Sequence, residues 1–259
     1  MAQAMLAGLL RAGHAPEHLL VADPDPEQRQ RLNALHQDLM ISADNGSVAA
    51  NAEVLVLAVK PQVMAAIAWN LGPRPQTQLV VSIAAGITLK ALGEWLGSAP
   101  ALVRVMPNQP ALVGAGMAAM VASAGVSERQ REQADYVMAA TGTAGWLQDE
   151  DLMDAVTAVS GSGPAYFYLL MEILEDFAGE AGIDPQLSRQ LAVETARGAG
   201  LTARESSLPP AELRRKVTSP GGTTEAALLK LEAAGIREIF RAALLAALRR
   251  SQELGQSGG

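Results

Sequence analysis

The stretch EVLVLAVKPQ, residues 53–62, decides the fold. Its near-continuous run of branched apolar residues, with no polar alternation, reads as a strand buried on both faces. The proline directly behind it suits the first position of a helix. The same unit recurs on either side. LLVAD (19–23) stops at Asp23-Pro24 and is followed by the polar helical stretch EQRQRLNALHQ. MIS (40–42) leads to a short helix from Asp44, and LVVSIA (79–84) leads to a helix near 88–97. ALVRVMP (101–107) and TAGWLQ (143–148) are further strands. Strands alternating with helices of about ten residues predict an α/β, Rossmann-type doubly wound sheet domain.

Beyond Gln148-Asp149-Glu150-Asp151 the texture changes. Strand-like runs vanish, and Ala/Leu/Glu segments occupy 165–181, 185–205, 210–217 and 222–254. The expected organisation is a sheet domain over residues 1–149 and an all-helical domain over 150–259. The apolar faces of LAVETARGAGLTA (191–203) and IFRAALLAALRRS (239–251) predict that this second domain buries itself against a second copy.

In a dinucleotide-binding unit a glycine-rich turn follows the first strand, and an acidic residue ends the second strand about 20 residues later. Asp23 holds that acidic position. Counting back about 20 residues puts the glycine turn before Met1, so the sheet is expected to be truncated, lacking its first strand and phosphate loop. Three internal glycine pairs mimic the loop. Gly114/Gly116 follow a proline-containing segment, Gly198/Gly200 lie inside a helical pattern, and Gly161/Gly163 follow no parallel strand. All three read as close-packing glycines.

Composition removes several function classes. The 259-residue chain carries a net charge of -7 with no block of Lys or Arg, which argues against nucleic acid as a main partner. With no cysteine, thiolate nucleophiles and Cys-ligated metal sites are excluded. Its histidines, His14, His18 and His36, lie early in the chain and away from the loops below, so neither a Ser-His-Asp triad nor a histidine-based metal site is expected. The apolar run VLVLAV (54–59) is far shorter than the roughly 20 residues of a membrane helix. AQAMLAGLL (2–10) lacks the features of a signal peptide, so a cytoplasmic location is expected.

Three segments concentrate groups that bind anions or bring backbone close to a ligand: MPNQP (106–110), SGSGP (160–164) and TSPGGTT (218–224). The last joins four hydroxyls to two glycines that open a helix near Thr223, where free N–H groups converge on a carboxylate or phosphate. A capped helix after a turn is the plainer reading of the same string. Without a strong protein base, hydride transfer from a cofactor to an activated C=N bond is the chemistry such a chain can support.

VLAVKPQ (56–62), VSIAAGI (81–87), VRVMPNQPALVGAGM (103–117), DAVTAVSGSGPAYFY (154–168) and KVTSPGGTTEAAL (216–228) together resemble pyrroline-5-carboxylate reductases in order and spacing. The resemblance covers essentially the whole chain. It implies reduction of Δ1-pyrroline-5-carboxylate to L-proline, the last step of proline synthesis, with NADPH or NADH as cofactor. It also implies a homodimer interlocked through the helical domain, with dimers able to join into rings. By resemblance, Ala58, Val59, Lys60 and Pro61 contact the nicotinamide half, and Ala84 and Ala85 line the same crevice. Asp23 and Asn45 lie near the adenosine end. Ser219, Gly222, Thr223 and Thr224 hold the substrate carboxylate, with Thr224 also near the ring nitrogen as the catalytic group, and Glu150 is a further substrate-binding candidate. Two departures stand out: the family's opening GxGxM-like loop is missing, and Gln109 replaces the usual Thr. Asp23 opposes a 2′-phosphate by its charge, whereas many family members use NADPH. The alternative is a dimeric, non-catalytic homologue that has lost dinucleotide binding.

Overall fold

Strand residues alternate between two faces, and the apolar runs supply both with large side chains. In the computed structural model, which describes residues 1–72, 74–75, 77–97 and 101–257, these runs become β1 (Leu20–Ala22), β2 (Met40–Ser42), β3 (Val54–Leu57), β4 (Leu79–Ser82) and β5 (Ala101–Met106). Two more strands follow, β6 (Gly116–Ala122) and β7 (Gly142–Trp146). The intervening helices are α1 (Ala2–Arg11), α2 (Pro26–Asn33), α3 (Asn45–Asn51), α4 (Pro61–Trp69), α5 (Leu89–Leu96) and α6 (Glu128–Ala139). Each start has a local cause. Asp25, Asp44, Thr88 and Ser127 cap α2, α3, α5 and α6 with side-chain oxygens, and Pro26 and Pro61 open α2 and α4.

Leu55, Leu57, Val80 and Leu102 pack on one face of the sheet with Met64 of α4 and Leu92 of α5. Leu79, Val81, Val103, Val105 and Met120 pack on the other with Met5 of α1 and Met138 of α6. The doubly wound reading therefore holds, with two refinements.

First, β1 pairs in parallel with β2 alone, and β3 to β7 form a separate five-stranded sheet. Among the described residues β1 has no strand partner besides β2, and β3 has none besides β4. Second, β6 runs antiparallel to β5, through Val103↔Ala122 to Met106↔Ala119, so the sheet is mixed. The chain turns back there through a short 3-10 stretch, Gln109–Val113, instead of a crossover helix.

No strand follows β7 among the described residues. α7 (Met153–Val156) passes into a π-helical turn at Thr157–Gly161, and α8 (Gly163–Glu180), α9 (Pro185–Glu205), α10 (Pro210–Lys216), α11 (Thr223–Ala233) and α12 (Ile236–Ser257) complete the chain. The stretch read as one segment over 222–254 is two helices, parted at Ala234-Gly235. Two compact units result. A sheet unit comprises Met1–Gly161 with the end of α12 from Ala247, and a helical unit comprises Ser162–Ala246. The division falls later than the compositional change at 149/150, because α7 and the π-turn belong with the sheet.

Within the sheet unit the end of α12 is anchored by a half-buried hydrogen bond, in which the Ser251 hydroxyl donates to Asp154 at 2.6 Å. Hydrogen bonds to ionised groups contribute about 2 kcal/mol. Ser251→Ala is therefore expected to lower the melting temperature by about 4 °C, read by circular dichroism.

Within the helical unit α8 packs along α9 through Ala178, Ser188 and Ala192. α8 also leaves Phe167, Leu170, Leu174 and Phe177 exposed, an apolar seam at alternating steps of three and four residues.

Candidate active site

Parallel strands deliver their following loops to one edge of the sheet, and ligands of open α/β sheets bind at that edge. The structure brings the expected cofactor residues there. Asp23 follows β1, and its Oδ1 accepts the Asp25 N–H at 2.9 Å in a tight turn. Arg29 donates to the Asp23 and Pro24 carbonyls, both at 2.8 Å, which anchors its guanidinium on the backbone of that turn. Asn45 opens α3 behind β2, where Asp44 accepts the Gly46 and Ser47 N–H groups. Ala58, Val59, Lys60 and Pro61 form the turn from β3 into α4, with Ala58 and Lys60 exposed. Ala84 and Ala85 follow β4. Ala84 is buried and Ala85 exposed, and the Ile83 N–H donates to the Leu57 carbonyl at 3.2 Å to hold the two loops side by side.

α1 points the same way. Leu9 near its C-terminus packs with Leu19 and Leu39, which precede β1 and β2, so its N-terminus faces the opposite, C-terminal edge of the strands. Met1 supplies no side-chain cap there. The first-turn N–H groups of Ala2, Gln3 and Ala4 therefore lack helical acceptors, the arrangement that receives a pyrophosphate.

In the helical unit the TSPGGTT loop opens α11 as its sequence implies. Gly222 is the N-cap, and Thr223 and Thr224 occupy the first turn. Both glycines are required. Gly221 has φ +72°, and a Cβ on Gly222 would lie 2.8 Å from Ser219 Oγ. The Gly222 N–H donates to the Ser219 carbonyl at 3.1 Å, and Glu225 Oε2 accepts the Gly221 N–H at 2.7 Å. A carboxylate of the protein itself thus occupies one N–H at this helix start.

Glu150 belongs to the sheet unit. Its Oε1 accepts both the Arg104 guanidinium at 2.7 Å and the Leu89 N–H at 2.9 Å. The sequence gives no local signal for this pairing, since Arg104 and Leu89 lie far along the chain from Glu150. The MPNQP and SGSGP segments, flagged separately, meet at Asn108, whose amide donates to Ser160 Oγ at 3.2 Å and whose Oδ1 accepts the Met117 N–H at 2.9 Å. The three glycine decoys are structural. Gly161 packs against Met106, Gly198 and Gly200 lie within α9, and Gly116 begins β6.

The strongest ion cluster lies apart, in the helical unit. Glu232 accepts Arg237 at 2.7 and 2.8 Å and Arg214 at 3.1 Å, beside a cavity of about 250 Å³ lined by Leu228, Leu231, Ile236 and Phe240. The hydrogen bond from Arg237, reinforced by both guanidinium charges, holds the Glu232 carboxyl below its ordinary value. Among the described residues no group of three or more His, Cys, Asp or Glu could hold a metal ion, and no helix is long and apolar enough to cross a membrane.

Residues 150–254 match the family model described as pyrroline-5-carboxylate reductase dimerisation, and residues 1–86 match NADP oxidoreductase, coenzyme F420-dependent. The chain is 44% identical to the pyrroline-5-carboxylate reductase of Pseudomonas aeruginosa over 100% of its own length and 95% of that protein's. The chain belongs to the pyrroline-5-carboxylate reductase family. Its fold agrees with that of the Coxiella burnetii pyrroline-5-carboxylate reductase at a TM-score of 0.92 and 36% identity, covering 98% of this chain and 94% of that one. The Plasmodium falciparum pyrroline carboxylate reductase, solved with NADP bound, agrees at 0.85 and 29% identity with the same coverage. The family resemblance carried by the SGSGPAY and TSPGGTT strings is thereby established over the whole chain, and with it the reading of the helical domain as a dimerisation domain.

Proposed function

We propose that this chain reduces Δ1-pyrroline-5-carboxylate to L-proline with NAD(P)H, the closing step of proline synthesis, in the cytoplasm. Full-length membership of the family carries this reading. The division of labour follows the two domains, 1–149 for the cofactor and 150–259 for dimerisation and the substrate. The alternative of a non-catalytic dimeric homologue finds no support in the relatives.

The residues present fit a dinucleotide. The first turn of α1 offers uncapped N–H groups to the pyrophosphate, Asp23 and Asn45 serve the adenosine end, and Ala58 to Pro61 with Ala84 and Ala85 line the nicotinamide half. The chemistry that NAD(P)H supplies when bound is a hydride for the imine carbon. For the substrate, Ser219 and Thr223 donate hydroxyl hydrogen bonds to the carboxylate, and Gly222 lets the loop backbone approach it closely. Thr224 holds the proton at the ring nitrogen, so that the C=N bond is reduced as the iminium and a neutral secondary amine leaves. No protein base of perturbed pKa is needed, and orientation supplies much of the rate. The test is oxidation of NADPH and NADH by the purified chain with pyrroline-5-carboxylate. Turnover with either nucleotide supports the reading, and a folded chain silent with both sinks it.

A homodimer accounts for the apolar seam on α8, because four large exposed side chains in one row need a cover. Leu174→Glu combined with Phe177→Glu is expected to convert a dimer to a monomer by sedimentation, without loss of helical signal. Association of dimers into rings is the further assembly we propose, and light scattering on the unmodified protein distinguishes it from a lone dimer.

A further inference from the structure

Arg104 is a charged residue in the middle of a sheet. It is 6% exposed, flanked in register by Ser82 of β4 and Val121 of β6. A guanidinium buried this deeply needs a carboxylate partner, and it takes Glu150 from the far end of the sheet domain. The same Glu150 oxygen also accepts the N–H of Leu89, the first residue of α5. The loop from Ile83 to Thr88 is therefore gripped at both ends. Ser82 Oγ accepts the Ala84 N–H at 3.4 Å where the loop leaves β4, and Glu150 holds it where α5 begins. Midway, Gly86 at φ +76° lies against the backbone of Leu254 and Gly255 at the end of α12.

We propose that Arg104 and Glu150 are positioning residues for the cofactor, a latch that fixes the Ala84–Thr88 loop against the nicotinamide. This rests on the function proposed above, and it gives Glu150 a task other than touching the substrate. Buried charge serves here to fix the start of α5, at the end of a loop that carries no charged side chain and is otherwise anchored through Ile87, 1% exposed in the core. The latch matters to cofactor binding and leaves substrate binding alone, because the groups it joins, Arg104 of β5 and the Leu89 N–H at the start of α5, both lie in the sheet unit.

Kinetics of the full chain and of Glu150→Ala, Glu150→Asp and Glu150→Gln test this, together with amide hydrogen exchange of nucleotide-free protein. Glu150→Ala is expected to raise the KM for NADPH about tenfold, with the KM for pyrroline-5-carboxylate changed less than twofold. Amides 84–89 should exchange at least tenfold faster while the other strands keep their protection. Glu150→Gln, which retains an acceptor for both donors, should restore most of the cofactor affinity. Glu150→Asp, too short to reach both partners, should fall between and serves if the alanine variant does not fold. A rise in the KM for pyrroline-5-carboxylate alone would make Glu150 a substrate contact and overturn the latch. So would unchanged exchange at 84–89. A wild-type chain that binds NADPH but leaves the imine untouched would defeat the proposed reaction and leave the latch measurable by NADPH fluorescence.

Discussion

Thr224→Ala is expected to lower kcat/KM for Δ1-pyrroline-5-carboxylate by about a hundredfold while nucleotide affinity stays unchanged. A hydrogen bond between a hydroxyl and a charged iminium is worth roughly 3 kcal/mol, about two powers of ten in kcat/KM. Thr224 sits in the first turn of α11, in the helical unit, whereas every residue assigned to the nucleotide lies in the sheet unit. Loss of the hydroxyl should therefore appear against the imine and not against NAD(P)H. Thr224→Ser keeps the hydroxyl and should recover most of the activity. Steady-state kinetics with varied imine, alongside nucleotide fluorescence titration, give both numbers. Unchanged efficiency in Thr224→Ala would remove this residue from the reaction.

Asp23→Ser is expected to shift the ratio of NADPH to NADH efficiency about thirtyfold towards NADPH. At the end of β1 a carboxylate suits a ribose 2′-hydroxyl and repels a 2′-phosphate. That repulsion amounts to roughly 2 kcal/mol across a few ångströms of partly solvated protein. Arg29 remains held by the carbonyls of Asp23 and Pro24, so the substitution removes the negative charge of this turn and keeps its positive one. Comparison of kcat/KM for the two nucleotides measures the shift. Equal loss with both would mean that Asp23 serves the turn, through its acceptance of the Asp25 N–H, and not the nucleotide.

The sheet was legible because its strands are short, branched and apolar, and EVLVLAVKPQ contains both a strand and the proline that opens the next helix. Direction was not legible. A strand buried on both faces shows no alternation, and MAAMVA reads the same whether it runs with ALVRVM or against it. α6 escaped for the opposite reason. ERQREQADYVMA is so polar that only Ala134 and Met138 are buried, and the surer signal was its capping box, Ser127 with Gln130. Gly235 gave the break between α11 and α12, but the Ala/Leu texture on both sides concealed it. In the site, the local motifs were readable: Asp23 at a strand end, the glycines and hydroxyls of 218–224. What joins Glu150 to Arg104 and Leu89, or Asn108 to Ser160, is tertiary, and no spacing in the sequence encodes it.

The sheet unit begins at Met1 and is closed by the end of α12, with the whole helical unit spelled out in between. On the ribosome this imposes an order. Strands and helices through Gly161 emerge and can collapse early, but Ser251 reaches Asp154, and Leu254 reaches Gly86, only when synthesis is almost finished. The loop behind β4 thus receives its last support after the dimerisation domain has been made, so a nascent chain stalled before Ser251 would hold a sheet with that loop unsupported.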